Sequence, residues 1–231
     1  MTTSLNALEA LATTRAIRRY TDEPVAPDDL ATMTFAATRA PTGSNRQNYR
    51  LLVLTEGPRA AKAKALLGDV ARANWAAKQD NDGYRTGSGA DPTSPKARMA
   101  ASMQRYVDNF EKIPLVVLPC IRRRHDSLID GASIYPACQN LLIAARALGY
   151  GGVLTGWHGP ISDELHELLD IPADVDIAAT ITIGRPAGNH GPVRRRPLTE
   201  LVSVDAWDET AAWVVDPPGT AYTQAGPPKT S

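Results

Sequence analysis

The sequence lacks most of the features that mark secreted, membrane and nucleic-acid-binding proteins. Only two of its 231 residues are cysteines, Cys120 and Cys138, and their spacing matches neither a CxxC pair nor a zinc site. No apolar run approaches the roughly 18 residues of a membrane span, and the N-terminal residues lack the basic start and apolar core of a secretion signal. Lysine and arginine number 25, as do aspartate and glutamate, so the formal net charge is zero. These absences predict a cytoplasmic protein with buried, inert thiols that binds neither nucleic acid nor membrane.

The motifs of several enzyme classes are missing as well. The glycine-rich run GYGGVLTG fails the dinucleotide-binding pattern, because Leu154 stands where the third glycine is required and because the run follows a long helical pattern. There is no Walker A lysine pattern and no GxSxG elbow, so no hydrolase nucleophile can be named. The four histidines do not form a metal-binding pair: they are His125, His158, His166 and His190. We therefore expect no metal site and no fixed catalytic side chain.

The pattern of apolar residues predicts a protein of mixed α and β structure. Helical spacing predicts helices over residues 5–13, 28–39, 58–79, 96–111, 130–148 and 161–169. Short apolar runs predict three strands over residues 49–55, 115–121 and 177–184. Residues 80–95 are rich in glycine and proline and predict an exposed loop. Strands interleaved with helices in this way indicate an α/β or α+β fold.

Three clusters of arginine are the most informative charged features. Arg15 lies with Arg18 and Arg19, a second cluster is Arg122–Arg124, and a third is Arg194–Arg196. Any one cluster could simply be a solvated surface, which is how we interpret Arg122–Arg124. Arg15 and Arg18 would share one face if their segment were helical, and guanidinium groups match phosphate oxygens in a bidentate way. The first and third clusters therefore predict a phosphate of a small cofactor, bound from both ends of the chain.

Four segments in this order resemble the FMN-dependent nitroreductase family: TTRAIRRYTDEPVAPDDL, AATRAPTGSNRQNYRLLVLT, ASIYPACQNLLIAARALGYGGVLTGW, and ITIGRPAG followed by RRRPLTELV. The resemblance implies an α+β fold with a mixed central sheet flanked by helices, in an intertwined homodimer. It also implies one FMN-binding domain over residues 1–215, with a variable excursion at about 70–112. Residues 216–231 would form a tail rich in proline and glycine.

The resemblance further implies which residues would contact FMN. Three arginines would hold its phosphate: Arg15, Arg18 and Arg195. The same segment would be lined by Ala16, Ile17 and Arg19. A polar loop would approach the ribityl chain and ring through Thr42, Ser44, Asn45 and Gln47. Near the reactive N5 of the isoalloxazine would lie Leu154, Thr155 and Gly156.

The chain departs from the family pattern in two places. Ala16 stands where a phosphate-binding serine is usual, and Asn48 and Tyr49 replace a usual Pro-Trp pair. The variable region could supply a wall of the substrate pocket through Tyr84 or Tyr106. The alternative for both tyrosines is packing within a helix pair or exposure on a loop.

The function implied by the resemblance is electron transfer from NADPH or NADH to nitroaromatic or quinone acceptors by a ping-pong mechanism. The flavin would perform the redox step, which fits a sequence without a recognisable catalytic side chain. Several alternatives remain open. Relatives with different flavin chemistry include reductive dehalogenases, enoate reductases, azoline oxidases and flavin-cleaving enzymes, and the chain could also bind flavin without turnover.

Overall fold

The computed structural model describes residues 5–124, 128–188, 193 and 195–217, which form two compact units. The larger unit is Ala16–Gly188, and the smaller one combines Met1–Arg15 with Asn189–Ser231. Two of the four histidines and most of the predicted tail lie outside the described residues. The prediction of a single domain over residues 1–215 stays a prediction.

The predicted helices are all present, with ends shifted by a few residues. The described residues contain α1 Ala7–Thr13, α2 Pro27–Ala37, α3 Pro58–Asn81, α4 Pro95–Asp108, α5 Leu128–Ala147 and α6 Ser162–Leu169. Proline is the first residue of three of them, where its missing N–H costs nothing. Helix α5 continues through Pro136, and Gly149 follows its end with a φ of +83°. This left-handed conformation is one that glycine adopts readily and that commonly follows the end of a helix.

The strands form one five-stranded sheet, so the fold is α+β. They are β1 Tyr49–Leu54, β2 Leu115–Arg122, β3 Gly151–Thr155, β4 Val175–Ile177 and β5 Thr180–Gly184. Their order is β1-β2-β5-β3, with β4 also paired to β2, and every strand pair is antiparallel. The named strands of the described residues therefore form an antiparallel sheet, and the parallel pairing expected of a mixed sheet is seen in an isolated bridge between Ala16 and Gly152.

Five strands replace the three that the sequence predicts. The predicted strand at 177–184 is divided at Ala178, whose N–H donates to the carbonyl of Pro119 at 2.8 Å. Strand β3 was not predicted, because Gly151 and Gly152 have low strand propensity. Its pairing along the whole of β5 makes it a strand. Tertiary contacts thus decide the structure where local preference is weak.

The sheet is the middle layer of the larger unit, with helices on both faces. Alternate residues of β2 point to opposite sides, and seven of its eight residues are buried. Leu115 and Val117 belong to a core with α2 and α5, whereas Val116 and Leu118 belong to a core with α3 and α4. This double burial explains why β2 is a continuous apolar run.

Both cysteines lie in this double core as free thiols. Cys120 and Cys138 are 5% and 1% exposed. Desolvation by burial raises the pKa of Cys120 to about 11 and that of Cys138 to about 12. The prediction of buried thiols is confirmed, and at neutral pH both stay protonated and unreactive.

The smaller unit is built on helix α1 and irregular C-terminal turns. The side chain of Asn6 accepts a hydrogen bond from the Glu9 N–H at 2.9 Å and caps α1. The N–H of Val193 donates to the Ala12 carbonyl at 3.3 Å, so α1 contacts the C-terminal part of the chain. Trp207 lies on the surface of this unit, 89% exposed.

Candidate functional site

Residues 16–20 run as an extended segment and not as a helix. Ala16 forms a parallel bridge with Gly152, and the N–H of Ile17 donates to the Gly152 carbonyl at 2.9 Å. Tyr20 forms a second bridge, to Pro186. The condition under which Arg15 and Arg18 would share a helical face is therefore not met, because the backbone of this segment pairs with other strands and loops.

Arg18 carries an unsatisfied buried donor in this segment. Its Nε is buried and has no hydrogen-bond partner in the part of the chain that the structure describes. The nearby hydroxyls of Tyr20 and Tyr106 lie 2.9 and 2.8 Å from Oγ1 of Thr182. Desolvation raises the pKa of both tyrosines, and the charge of Arg18 partly offsets this. A buried N–H without an acceptor costs about 1–3 kcal/mol, so this geometry indicates a place for an anionic ligand.

The polar loop at residues 42–47 holds an unusual backbone conformation. Ser44, Asn45 and Gln47 have φ values of 52°, 52° and 51°, in the left-handed region that non-glycine residues rarely adopt. Inside the loop, Oγ1 of Thr42 accepts from the Gln47 N–H at 3.1 Å. The loop is anchored to α5 by a hydrogen bond from the backbone N–H of Gly43, within the loop, to Oγ of Ser133. Backbone strain combined with exposed polar side chains is characteristic of ligand-binding loops.

The end of β3 presents an apolar side chain to an open surface. Leu154 is 41% exposed, although its neighbour Val153 is buried. The hydroxyl of Thr155 donates to the Thr180 carbonyl at 3.2 Å, which fixes the strand end against β5. A Cβ added at Gly156 would meet no atom within 4 Å. This surface could accept a flat, largely apolar ring.

The structure brings together two of the predicted groups of site residues. The bridge from Ala16 to Gly152 places the segment around Arg18 beside β3, two residues before Leu154. The loop at 42–47 packs on α5. Arg15 and Arg195 belong to the smaller unit, so their role at the phosphate stays a prediction.

The two tyrosines predicted for the substrate pocket pack within the larger unit. Tyr106 is 3% exposed, and its ring centroid lies 5.4 Å from that of Trp157. Tyr84 is half-buried, with its ring centroid 5.2 Å from that of Trp75. Packing was the alternative for both residues, and a role in substrate binding stays a prediction.

Sequence reasoning missed one set of basic residues next to Arg18. A cavity of about 310 Å³ lies between residues 18–22 and helix α4, and Arg105 and Lys112 line it. The signal that could have revealed them was the seven-residue spacing from Arg105, in the predicted helix 96–111, to Lys112 just beyond its end.

The described histidines have structural contacts. Nδ1 of His158 lies 3.3 Å from Oγ1 of Thr180. The ring of His166 lies between two backbone carbonyls, those of Ser162 and Val175, each 2.7 Å from a ring nitrogen. Among the described residues, no group of three or more His, Cys, Asp or Glu side chains could hold a metal ion. None of the described helices is both long enough and apolar enough to cross a membrane.

Comparison with known proteins identifies the family. The model of the nitroreductase family matches residues 11–185, which include the extended segment around Arg18, the polar loop and β3. The chain belongs to the nitroreductase family. The resemblance predicted from the sequence is confirmed.

Relatives of this nitroreductase-family chain have different names. The FMN reductase [NAD(P)H] of Bacillus subtilis is 25% identical over 190 residues, which cover 82% of this chain and 70% of the relative. The 5,6-dimethylbenzimidazole synthase of Rhodospirillum rubrum is 24% identical over 193 residues, 81% of this chain and 82% of the relative.

Solved structures share the fold of this family member. A crystal structure from Desulfovibrio desulfuricans, which contains FMN, has a TM-score of 0.63 and 27% identity, covering 89% of this chain and 99% of that one. The NADPH:FMN oxidoreductase of Vibrio harveyi, in complex with NAD+, has a TM-score of 0.62 and 20% identity, covering 88% and 79% of the two chains.

Proposed function

We propose that this protein is a cytoplasmic, homodimeric FMN-dependent oxidoreductase that transfers electrons from NADPH or NADH to nitroaromatic or quinone acceptors. The observation that carries the proposal is the buried Nε of Arg18, which has no hydrogen-bond partner among the described residues and belongs to a segment whose backbone bridges to β3. Membership of the nitroreductase family supports an oxidoreductase, and the FMN-containing neighbour supports the cofactor.

The residues present fit FMN in their chemistry. The guanidinium of Arg18 would donate to the phosphate, and the roles of Arg15 and Arg195 there stay predictions from the resemblance. The hydroxyl and amide groups of the loop at 42–47 suit the ribityl chain, and the surface of Leu154 suits the ring. Bound FMN would supply the redox chemistry.

The chain's own residues would bind and orient the cofactor and the substrates, and they would exclude water from the site. The donor and the acceptor would occupy the same open surface near Leu154 in turn, which is the basis of a ping-pong scheme. No side chain at this surface has to act as an acid or a base at a fixed position. The buried thiols of Cys120 and Cys138 would take no part, because their raised pKa values keep them protonated.

The proposal is tested by spectroscopy and initial-rate kinetics of the purified protein. We expect a flavin absorbance spectrum, release of FMN on denaturation, bleaching by NADPH or NADH without oxygen, and recovery on adding a quinone. Parallel double-reciprocal plots would support the ping-pong scheme. Release of FAD, or no flavin after reconstitution with FMN, would contradict the cofactor assignment, and binding of FMN without bleaching would indicate a flavin-binding protein.

A second candidate function comes from the similarity to the 5,6-dimethylbenzimidazole synthase. That relative's name denotes a reaction other than reduction of an acceptor. Incubation of the FMN-loaded protein with NADPH in air, followed by chromatography, would separate the two candidates. Accumulation of 5,6-dimethylbenzimidazole would favour the synthase, and its absence together with rapid quinone reduction would favour the reductase.

A further inference from the structure

Two adjoining cavities form a basic groove along helix α4. They have volumes of about 310 and 550 Å³, and both are lined by Arg19 and Arg105. The first cavity is also lined by Arg18 and Lys112, and the second by Arg98. All of these residues belong to the larger unit. We call this feature the basic groove.

The basic residues of α4 are aligned by helical geometry. Arg98 and Arg105 lie seven residues apart, which is two turns and about 10 Å along the helix axis. Lys112 follows after another seven residues, in the short 3₁₀ turn at the end of α4. Val107, on the opposite side of α4 from Arg105, belongs to the core, and the buried Tyr106 lies between the core and the first cavity. The basic residues therefore line the solvent side of a well-packed helix.

Three cations of the groove have no carboxylate partner among the described residues. Arg98, Arg105 and Lys112 form no ion pair there, so they stay uncompensated when Arg18 holds the FMN phosphate, and Asp22 is the one acidic residue that lines either cavity. Several arginines elsewhere do have carboxylate partners; examples are Arg59, Arg72, Arg122 and Arg185. An uncompensated row of guanidinium groups attracts an anion, and the guanidinium fork suits phosphate.

We propose that the basic groove binds the phosphate groups of a nucleotide substrate, in addition to any phosphate of the FMN cofactor. This inference rests on the proposed function. Cations spaced about 10 Å apart exceed the reach of a single phosphate and suit a ligand with separated phosphates, such as NADPH with its pyrophosphate and 2′-phosphate. A free flavin nucleotide, used as the electron acceptor, would offer the same phosphate chemistry.

The test uses the flavin-loaded dimer with Arg105→Gln and Lys112→Gln combined, since neither residue belongs to the segments assigned to FMN. If the donor occupies the groove, the KM for NADPH rises at least fivefold while the KM for NADH changes less than twofold. If the acceptor occupies it, the KM for FMN rises and that for riboflavin does not. FMN content and kcat stay unchanged. Arg59→Gln, which removes a paired surface arginine at the start of α3, is the matched control and leaves all constants unchanged.

A direct binding measurement tests the groove as an anion site independently of the proposed enzyme activity. Wild-type holoprotein, titrated with inorganic pyrophosphate in a calorimeter, binds it in a salt-sensitive way, and the double variant binds at least fivefold more weakly. If the protein oxidises neither NADPH nor NADH, the proposed function fails while this titration still tests the groove as an anion site. Absence of pyrophosphate binding to the wild type, equal binding by the variant, or equal KM values in an active variant would overturn the inference.

Discussion

Lys64 shows how one side chain can join three parts of the larger unit. It is 6% exposed, and its Nζ donates to the carbonyls of Thr55 and Ile113 at 2.9 Å each, and more distantly to that of Pro114. Burial lowers the pKa of this ammonium group. In the sequence, Lys64 stands in an alanine- and lysine-rich helix and resembles a solvent-exposed residue. Only the fold reveals that it links α3 to the end of β1 and the start of β2.

Gly152 is a position where any side chain would collide with neighbouring backbone. An added Cβ would lie 2.6 Å from the Thr182 carbonyl oxygen and 2.8 Å from Cδ2 of Leu142. We expect Gly152→Ala to reduce the free energy of unfolding by about 1–3 kcal/mol, because β3 would have to separate from β5. Urea unfolding followed by circular dichroism measures this.

A second glycine provides the control for that measurement. A Cβ added at Gly159 would meet no atom within 4 Å. Gly159→Ala should therefore change the free energy of unfolding by less than about 0.5 kcal/mol. Equal stabilities of the two variants would contradict the close approach at Gly152.

The pKa values of the two described histidines should be shifted in opposite directions from the ordinary value of 6.5. Burial lowers the pKa of His158. Burial also acts to lower the pKa of His166, but the carbonyls of Val175 and Ser162 favour the imidazolium, and the net shift is upward. The folded state thus binds the His166 proton more tightly than the unfolded state. The stability from His166 is fully present below about pH 6.5 and is lost as the pH rises through its folded pKa.

A proton NMR titration of the imidazole resonances measures both values. We expect the midpoint of His166 above 6.5 and that of His158 below it. His166→Gln should accordingly lower the free energy of unfolding more at pH 5.5 than at pH 9. A His166 midpoint below that of His158 would show that the two carbonyl contacts do not favour its protonated form.

Arg195 is one of the three arginines that the family resemblance assigns to the cofactor phosphate. We expect Arg195→Ala to weaken FMN binding by about 1.5–3 kcal/mol, the contribution of a hydrogen bond to a charged group. Fluorescence titration of the apoprotein with FMN gives the dissociation constant. Arg196→Ala removes the neighbouring charge and should have a much smaller effect, so equal losses in the two variants would indicate a general charge effect.

The parts of the candidate site that are short sequence motifs could be predicted from the sequence. The parts that depend on long-range contacts in the fold could not. The segment around Arg18, the polar loop and the end of β3 were all recognisable as short patterns. The extended course of residues 16–20 was not, because it depends on hydrogen bonds to Gly152, which is more than a hundred residues away. Long-range backbone pairing leaves little trace in local composition.

Helices and strands also differ in how far their formation depends on local sequence or on long-range pairing. The helices were predictable because apolar spacing and proline at the first turn act within a few residues. Strands β1 and β2 were predictable as continuous apolar runs. Strand β3 and the separation of β4 from β5 were not, because both depend on pairing with partners distant in sequence.

The predicted loop at 80–95 has more internal contacts than its composition indicates. Ser94 ends it and caps α4: its Oγ accepts from the Ala97 N–H at 2.9 Å and donates to the Ser88 carbonyl at 2.5 Å. We expect Ser94→Ala to reduce the free energy of unfolding by about 1–2 kcal/mol, because it removes the cap and leaves a carbonyl unpaired. Thermal or urea unfolding measures the change.

Ser88→Ala is the control for this cap. Its carbonyl accepts the hydrogen bond, and its side chain is exposed, so the variant keeps the contact with Ser94. A change below about 0.5 kcal/mol is expected. If Ser94→Ala were equally mild, the cap would contribute little to the stability of α4.

At the scale of the whole molecule, exposed apolar side chains favour self-association. Trp207 and Trp213 are 89% and 65% exposed in the smaller unit, and Ile129 and Tyr135 of α5 are 67% and 47% exposed in the larger one. A partner subunit would cover such residues, and stable homodimers commonly bury more than about 2,000 Å². We expect light scattering to give the mass of a dimer, and a folded, flavin-loaded monomer would contradict this.

The central position of β2 has a consequence for synthesis of the chain. Its partner β1 precedes it by about sixty residues, whereas β4 and β5 follow it at a similar distance. Among the described strands, β3 pairs with β5 alone. On the ribosome, β1 and β2 would therefore emerge long before the strands that complete the sheet. Pairings between such distant segments slow folding and leave apolar faces uncovered in the meantime. The sheet could therefore be completed only after residue 184 has left the exit tunnel.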